Sequence, residues 1–150
     1  MLSKIIPYEK LTLDEFHDII SLRIKVFVVE QECPYQELDG LDKKAQHLIC
    51  RENGTLAATL RILPPGLNDE MFSIGRVVVD MDYRGTGLGH RIMEKAIKHI
   101  QEDSDQDKVP IKISAQEHLR NYYELHGFKQ CGEGYLEDGI PHIPMLRISS

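Results

Sequence analysis

Residues 72–102 place the tightest restriction on what this chain can fold into. "FSIGRVVVD" is a β-branched run typical of a buried strand, and "RGTGLG", where three glycines alternate, follows it after three residues. From Leu88 onward apolar residues recur every three to four positions with charged residues between them, which predicts an amphipathic helix. A strand that enters a helix through glycines brings unpaired backbone N–H groups to one point. This arrangement suits a phosphate.

Three phosphate-binding patterns compete for the glycine loop, and a turn that only starts a helix is the simpler alternative. The Walker pattern requires a lysine and a hydroxyl residue that are absent here. The dinucleotide pattern would place its third glycine at His90 and an acidic residue about 20 residues later, where Asp107 is close in count but lies in a charged loop. The pattern Arg-x-x-Gly-x-Gly fits Arg84, Gly87 and Gly89 without a gap.

The N-terminal half predicts strands around a capped helix. "SKIIPYEKL" is expected to be an edge strand, because Pro7 cannot donate to a ladder. Thr12 and Glu15 form a capping-box pattern before apolar residues at helical spacing that continue to Phe27. The dipeptide Asn53-Gly54 between two strand-like runs predicts an antiparallel hairpin.

The C-terminal half predicts a strand, a helix and a final strand pair. These are "VPIKISAQ", then "EHLRNYYELHGF" closing at Gly127, then "FKQCGEGYL" with "HIPMLRI" around a turn at Asp138-Gly139. Together the elements predict an α+β fold with a mixed, mostly antiparallel central sheet flanked by helices on both faces.

Length and composition bound the class of protein. The 150 residues, 41% of them apolar, suffice for one core, so we expect a single domain over residues 1–150. A net charge of -6 argues against a nucleic-acid binder. Three cysteines without a paired spacing predict neither a disulfide framework nor a zinc ribbon, and no other cluster predicts a metal site. Without a long apolar run we expect no membrane span and a cytoplasmic location.

The order of these motifs resembles the GNAT superfamily of N-acetyltransferases. In that family Gln/Arg-x-x-Gly-x-Gly/Ala follows the central strand, and "YYELHGF" is similar to its Phe-Tyr-Glu-x-x-Gly-Phe motif. The resemblance covers nearly the whole chain. The segments "LRIKVFVVEQECPYQELDG" and "EDGIPHIPM" look like the ElaA-like branch, whose members are mostly known only as predicted acetyltransferases.

The resemblance implies a binding mode for acetyl-CoA. The loop would hold the pyrophosphate, and the strand of the three valines would splay from the next strand so that pantetheine pairs with backbone near Val77 and Val79. Gln116 is expected either to bond the pantetheine or simply to start a helix. The implied cofactor loop consists of Arg84, Gly85, Thr86, Gly87, Leu88 and Gly89.

The resemblance also implies two catalytic groups. A main-chain N–H near Val78 would polarise the thioester carbonyl, and Tyr123 would act as general acid toward the departing thiolate. The alternative for Tyr123 is a core aromatic beside Tyr122. An amine acceptor also needs a base, and the sequence leaves a water chain and several residues open, namely Glu30, Glu37, Asp39, Asp80 and His142.

The acidic stretch "EQECPYQELDGLD" is open to two interpretations. It is either an electronegative wall that attracts a cationic amine or a solvated loop. We expect an N-acetyltransferase that moves acetyl from acetyl-CoA to an unidentified amine by direct transfer in a ternary complex. The alternative is a catalytically silent CoA-binding or regulatory module. An exposed terminal strand pair offers an edge for a homodimer, and the sequence leaves the oligomeric state open.

Overall fold

The computed structural model describes residues 2–104 and 108–148. Within them the α-helices are α1 (Leu13–Arg23), α2 (Leu88–Asp103) and α3 (Arg120–Glu124). The strands are β1 (Leu2–Pro7), β2 (Gln46–Glu52), β3 (Thr55–Leu63), β4 (Ser73–Val79), β5 (Ile111–Gln116), β6 (Lys129–Gln130), β7 (Tyr135–Glu137) and β8 (Ile140–Arg147). The polar run at 101–108 is not wholly a loop, because α2 continues to Asp103, and Asp107 lies outside the described residues.

The first four strands form an antiparallel sheet in sequence order. β1 lies at its edge and ends at Pro7, as predicted for a residue without an N–H. Asn53 and Gly54 make the β2–β3 turn with φ of 52° and 80°, the left-handed pair that a two-residue hairpin requires. The predicted edge strand and hairpin are both confirmed.

The second sheet is also antiparallel and has β8 at its centre. β8 pairs with β5 on one side and with the short strands β6 and β7 on the other. The two sheets meet at a parallel bridge between Phe72 and Ile111, where the Lys112 N–H donates to the Phe72 carbonyl over 2.9 Å. Beyond this bridge β4 and β5 have no further ladder pairing among the described residues, so a gap opens between them.

Helices cover both faces of the first sheet, as predicted. Ile92, Met93 and Ala96 of α2 pack in one core cluster with Leu48 of β2. The next residue of β2, Ile49, belongs to a second cluster with Ile19 and Leu22 of α1. Successive strand residues point to opposite faces, so this alternation places α1 and α2 on opposite sides of the sheet. The predicted α+β class is confirmed.

The first helix begins as predicted and continues differently. Thr12 accepts a hydrogen bond from the Glu15 N–H over 3.0 Å, and Glu15 accepts one from the Thr12 N–H over 2.9 Å, which completes the capping box. After Arg23 the chain widens into a π-helical segment, Ile24–Glu30. The segment ends where the Gln31 N–H donates to the Val26 carbonyl. π-Helical turns are rare and often lie at functional sites.

The C-terminal third departs from the predicted pattern. The helix predicted over 117–128 is a 3₁₀ turn followed by the short α3, and the chain leaves it through Gly127 at φ 88°. "FKQCGEGYL" is not one strand, because residues 131–134 separate β6 from β7. This segment passes close to β8, since a Cβ at Gly132 would lie 3.0 Å from the Pro144 ring.

Candidate active site

The gap between β4 and β5 exposes one backbone edge of β4. The Asp80 N–H donates to Ala57 of β3 over 2.8 Å, whereas the Val79 carbonyl accepts from Arg84 Nε over 3.0 Å. Backbone groups alternate in direction along a strand. Val79 and Val77 therefore face the open edge, and Val78 faces Thr59, its register partner on β3. The Val78 N–H, near which the thioester carbonyl was expected, points toward β3 in this geometry.

A bulge at Arg76 sets the position of this edge. Leu60 of β3 lies between two register pairs that leave both Arg76 and Val77 opposite it, so β4 carries one extra residue. Arg76 has φ 50°, a left-handed value that is rare for a residue with a Cβ. No local sequence pattern predicts this conformation at Arg76, because the neighbouring Gly75 is the residue that a bulge would normally use.

The glycine loop presents backbone and open space. Gly85 and Gly87 have φ of 79° and 81°, and nothing lies within 4 Å of an ideal Cβ at either residue. Gly87 caps α2 without a side-chain hydrogen bond, so the first N–H groups of the 16-residue helix stay available. The helix N-terminus and these N–H groups favour an anion.

Thr86 and Leu88 make their contacts within the protein. The Thr86 hydroxyl donates to the Tyr83 carbonyl over 2.7 Å, and Leu88 is buried in the core. An ideal Cβ on Gly89 would lie 3.7 Å from both Tyr122 and Val79, which is ordinary contact. The requirement for glycine is thus conformational at positions 85 and 87 and weak at position 89.

Arg84 is already paired within the protein. Its Nη1 and Nη2 lie 2.8 and 3.1 Å from the two carboxylate oxygens of Glu30, in the π-helical segment. A bidentate contact of this kind is among the stronger ion pairs. The guanidinium that was predicted to bind an anion is present, but in this structure it is paired with the Glu30 carboxylate.

Tyr123 is a buried residue of α3. Its ring packs against Tyr122 at 4.9 Å and Phe128 at 5.9 Å, and burial raises the pKa of its phenol to about 12. Its hydroxyl makes no hydrogen bond with the described part of the chain. The neighbouring Tyr122 hydroxyl donates to the Gly89 carbonyl over 2.6 Å and so ties α3 to the start of α2.

A cavity of about 780 Å³ joins these parts. The Gln116 and Gln31 amides face each other across it at 3.4 Å, a long contact that a ligand can replace at little cost. Of the predicted site residues, the cavity lining includes Val77, Val78, Val79, Arg84, Gly89, Gln116 and Tyr123, and it does not include Gly85, Thr86, Gly87 or Leu88. Cavities of this size are typical of small-molecule sites.

The acidic stretch is neither an electronegative wall nor a solvated loop. Glu37 and Asp42 are buried, and Arg23 contacts them at 2.8 and 2.7 Å. Arg61 contacts Asp42 at 3.0 Å and Asp39 at 2.6 Å. Three arginines, counting Arg76, thus balance three acids.

The pKa values of the acids in this cluster reflect the balance of charges. Burial raises the pKa of Asp42, but hydrogen bonds and charge from Arg23 and Arg61 outweigh it and leave that pKa below its usual value. The pKa of Asp39 is lowered in the same way, since its hydrogen bond from Arg61 outweighs burial. A charge-balanced cluster gives no electronegative wall.

Two other base candidates are also engaged. Asp80 lies 3.2 Å from Lys25 and accepts from the Asp82 N–H, so it caps a turn. His142 Nδ1 lies 2.7 Å from the Ile140 carbonyl, and its Nε2 faces Glu137 at 3.3 Å. Of the five candidates, Glu30 and His142 line the cavity with side chains that are not enclosed by several arginines.

The described residues contain no group of three or more side chains suited to a metal ion. His126, an isolated histidine in the sequence, lies 2.9 Å from His90, and burial followed by the charge of His90 lowers its pKa. All three cysteines are free. Among residues 2–104 and 108–148, no helix is both long and apolar enough to cross a bilayer.

The fold is that of the GNAT acetyltransferases. The family profile described as an acetyltransferase (GNAT) domain matches residues 12–148, and the chain belongs to this family. It is 43% identical to a crystal structure of an acyl-CoA N-acyltransferase from Pseudomonas aeruginosa, with a TM-score of 0.91 and coverage of 98% of this chain and 99% of that one.

Within the family the chain is ElaA-like. It is 36% identical to the Escherichia coli ElaA crystal structure, with a TM-score of 0.90 and coverage of 97% of this chain and 98% of that one. A UPF0039 protein of Schizosaccharomyces pombe is 42% identical over 139 residues, which cover 92% of this chain and 91% of the yeast protein. The predicted resemblance is confirmed.

Proposed function

We propose that this protein is an N-acetyltransferase that moves an acetyl group from acetyl-CoA directly to an amine acceptor in a ternary complex. The proposal treats residues 1–150 as one catalytic domain, and a cytoplasmic location remains our expectation. The observation that carries it is the open edge of β4, which ends at an uncapped helix with two left-handed glycines. An amide-bearing arm attached to a pyrophosphate fits that combination of a strand edge and an anion site.

The cofactor would lie along β4 with its pyrophosphate at residues 84–89. Pantetheine would then run back from Val79 toward Val77, pairing with main-chain groups that face the gap. Because the thioester is at the far end of this arm, the Val77 N–H is the group placed to polarise its carbonyl. This moves the electrophilic role one residue from the position that the sequence suggested.

Tyr123 is proposed as the general acid. Its buried phenol remains protonated at neutral pH and has no protein partner in the described residues, so it can donate to a thiolate as charge develops. The amine must lose a proton to the cavity, through water or through Glu30 or His142. When bound, acetyl-CoA supplies the activated acetyl group. The chain orients it and excludes water from the reacting end.

Thermal unfolding with and without acetyl-CoA tests the cofactor assignment. Ligand at about 100 times its Kd should add about 2.7 kcal/mol, or roughly 5–11 °C for a domain of this size. ATP and NAD serve as controls, because they share a phosphate-linked adenosine but lack pantetheine. Equal shifts with all three ligands, or none with acetyl-CoA, would contradict the proposal.

Free-thiol release over a panel of amines tests the reaction. Tyr123→Phe should lose turnover by about a hundredfold while acetyl-CoA affinity is unchanged. Acetyl-CoA binding without turnover on any amine would instead indicate the catalytically silent CoA-binding module.

A further inference from the structure

Arg84 and Glu30 connect the two halves of the cavity. Glu30 ends the π-helical segment, and Arg84 opens the glycine loop. All three guanidinium nitrogens of Arg84 are occupied, two by the Glu30 carboxylate and Nε by the Val79 carbonyl. The same side chain therefore holds a carboxylate and covers a carbonyl on the open edge of β4.

A pyrophosphate at the glycine loop competes for this guanidinium. Arginine forms bidentate contacts with phosphate as readily as with carboxylate, and the uncapped N–H groups of α2 add affinity for the phosphate alone. Arg84 and Glu30 are about two-fifths and one-third exposed, so their pair is only partly desolvated and can be broken at modest cost.

We propose, on the basis of the proposed function, that Arg84 exchanges Glu30 for the pyrophosphate of acetyl-CoA, and that the released Glu30 carboxylate recognises the cationic amine acceptor. The exchange also frees the Val79 carbonyl for pantetheine, because Nε leaves with the rest of the guanidinium.

The neighbouring charges explain why Glu30 and no other acid takes this role. Glu37, Asp39 and Asp42 remain balanced by the arginine cluster, and Asp80 keeps Lys25. Arg84 is the cation that contacts Glu30 among the described residues, so its departure leaves the carboxylate without a positive partner. A partly buried carboxylate in a cavity attracts an ammonium group.

The exchange sets an order of binding. Before the cofactor arrives, an amine meets a neutral Arg84–Glu30 pair and gains little by approaching it. After the cofactor binds, the same amine meets an unpaired carboxylate that lines the cavity. The acceptor site is therefore completed by the cofactor, and an amine has no strong site in its absence.

Calorimetric titration of Glu30→Gln tests the competition. Glutamine keeps the size of the side chain and removes its charge, so Arg84 should bind pyrophosphate without first losing a carboxylate. We expect acetyl-CoA to bind about two- to fivefold more tightly, the range measured for partly exposed ion pairs. S-Acetylpantetheine, which lacks pyrophosphate, should bind as it does to the unmodified protein.

Glu102→Gln is the matched control. Glu102 is an exposed acid that contacts Lys98 at 3.9 Å near the far end of α2, so the substitution removes one charge and one ion pair away from the loop. It should leave both affinities unchanged. Unchanged or weaker acetyl-CoA binding by Glu30→Gln, or equal tightening in the control, would overturn the exchange. Failure of the unmodified protein to bind acetyl-CoA would instead overturn the proposed function, and the exchange with it.

The amine-recognition step has its own readout. Carbon-13 signals of glutamate carboxylates, assigned with Glu30→Gln, are followed while methylammonium is added in the presence and absence of CoA. Using CoA without an acetyl group prevents turnover. The Glu30 signal should respond to methylammonium only in the CoA complex. An equal response in both states, or none in the complex, would overturn the recognition role.

Discussion

The Arg76 guanidinium lies 2.6 Å from the Glu37 carboxylate, which links the left-handed residue of β4 to the loop that follows α1. Glu37 also binds Arg23, the last residue of α1. The helix, the loop and the strand bulge are therefore joined by one buried carboxylate. The position of the open strand edge depends on charges that lie outside the family's sequence motifs.

Substitutions at Arg76 should separate its backbone strain from its ion pair. Arg76→Ala loses the ion pair but still places a Cβ on a left-handed backbone. We therefore expect a loss of about 1–3 kcal/mol in the free energy of unfolding. Arg76→Gly loses the same pair without the steric penalty and should be about 1 kcal/mol more stable than the alanine variant. Urea denaturation measures both. Equal stability of the two variants would mean that φ at this position is not left-handed.

The ion cluster should make the protein sensitive to acid. The folded-state pKa of Asp42 is lowered by Arg23 and Arg61, so its contribution to stability is complete above the unfolded pKa, near ~3.9, and is lost as pH falls below it. Urea midpoints measured from pH 7 to pH 3 should decline most steeply below about pH 4.5. Asp42→Asn should flatten this decline, whereas Asp103→Asn, at the exposed end of α2, should keep it. An unchanged acid slope in Asp42→Asn would contradict the buried pairing.

Two glycines of the loop should differ in their tolerance of alanine. Gly87→Ala forces a Cβ into φ 81° and should cost about 1 kcal/mol of stability together with acetyl-CoA affinity. Gly89→Ala places its Cβ at ordinary contact distance and should change stability by less than about 0.5 kcal/mol. Thermal unfolding with and without acetyl-CoA compares the pair. A larger loss of stability or affinity in Gly89→Ala than in Gly87→Ala would mean that the loop adopts another conformation.

The pH dependence of turnover should not report Tyr123 below about pH 10. Burial raises the phenol pKa to about 12, so the acid form persists throughout the usual assay range. A rise of kcat with pH is then due to deprotonation of the amine or its base. The check is a pH profile of Tyr123→Phe beside the unmodified protein. A fall of kcat near pH 8 to 9 that disappears in the variant would contradict the buried environment.

Local patterns predicted the parts of the fold whose signals lie within a few residues. The capping box at Thr12, the Asn53-Gly54 turn and the strand, loop and helix around Gly87 all formed where expected. Each depends on backbone requirements of neighbouring residues, which a single sequence displays directly.

The errors at the site concern contacts between residues that are distant in the chain. Asp39 reads as part of a polar loop until Arg61, 22 residues later, is placed beside it. The direction of the Val78 N–H depends on the bulge in β4, and the pairing of Glu30 depends on Arg84, 54 residues later. Charge and periodicity contain no information about such partners, so the glycine loop was more predictable than the acidic stretch.

The parallel bridge between Phe72 and Ile111 has a consequence for the lifetime of the protein in the cell. The two sheets are incompletely joined by the chain's own backbone, and under the proposed function acetyl-CoA supplies the missing hydrogen bonds along β4. A ligand that completes a sheet protects the folded state in proportion to its concentration. If that function holds, falling acetyl-CoA would raise the fraction of molecules open to proteases, so the abundance of this protein would follow the supply of acetyl-CoA without any separate regulator.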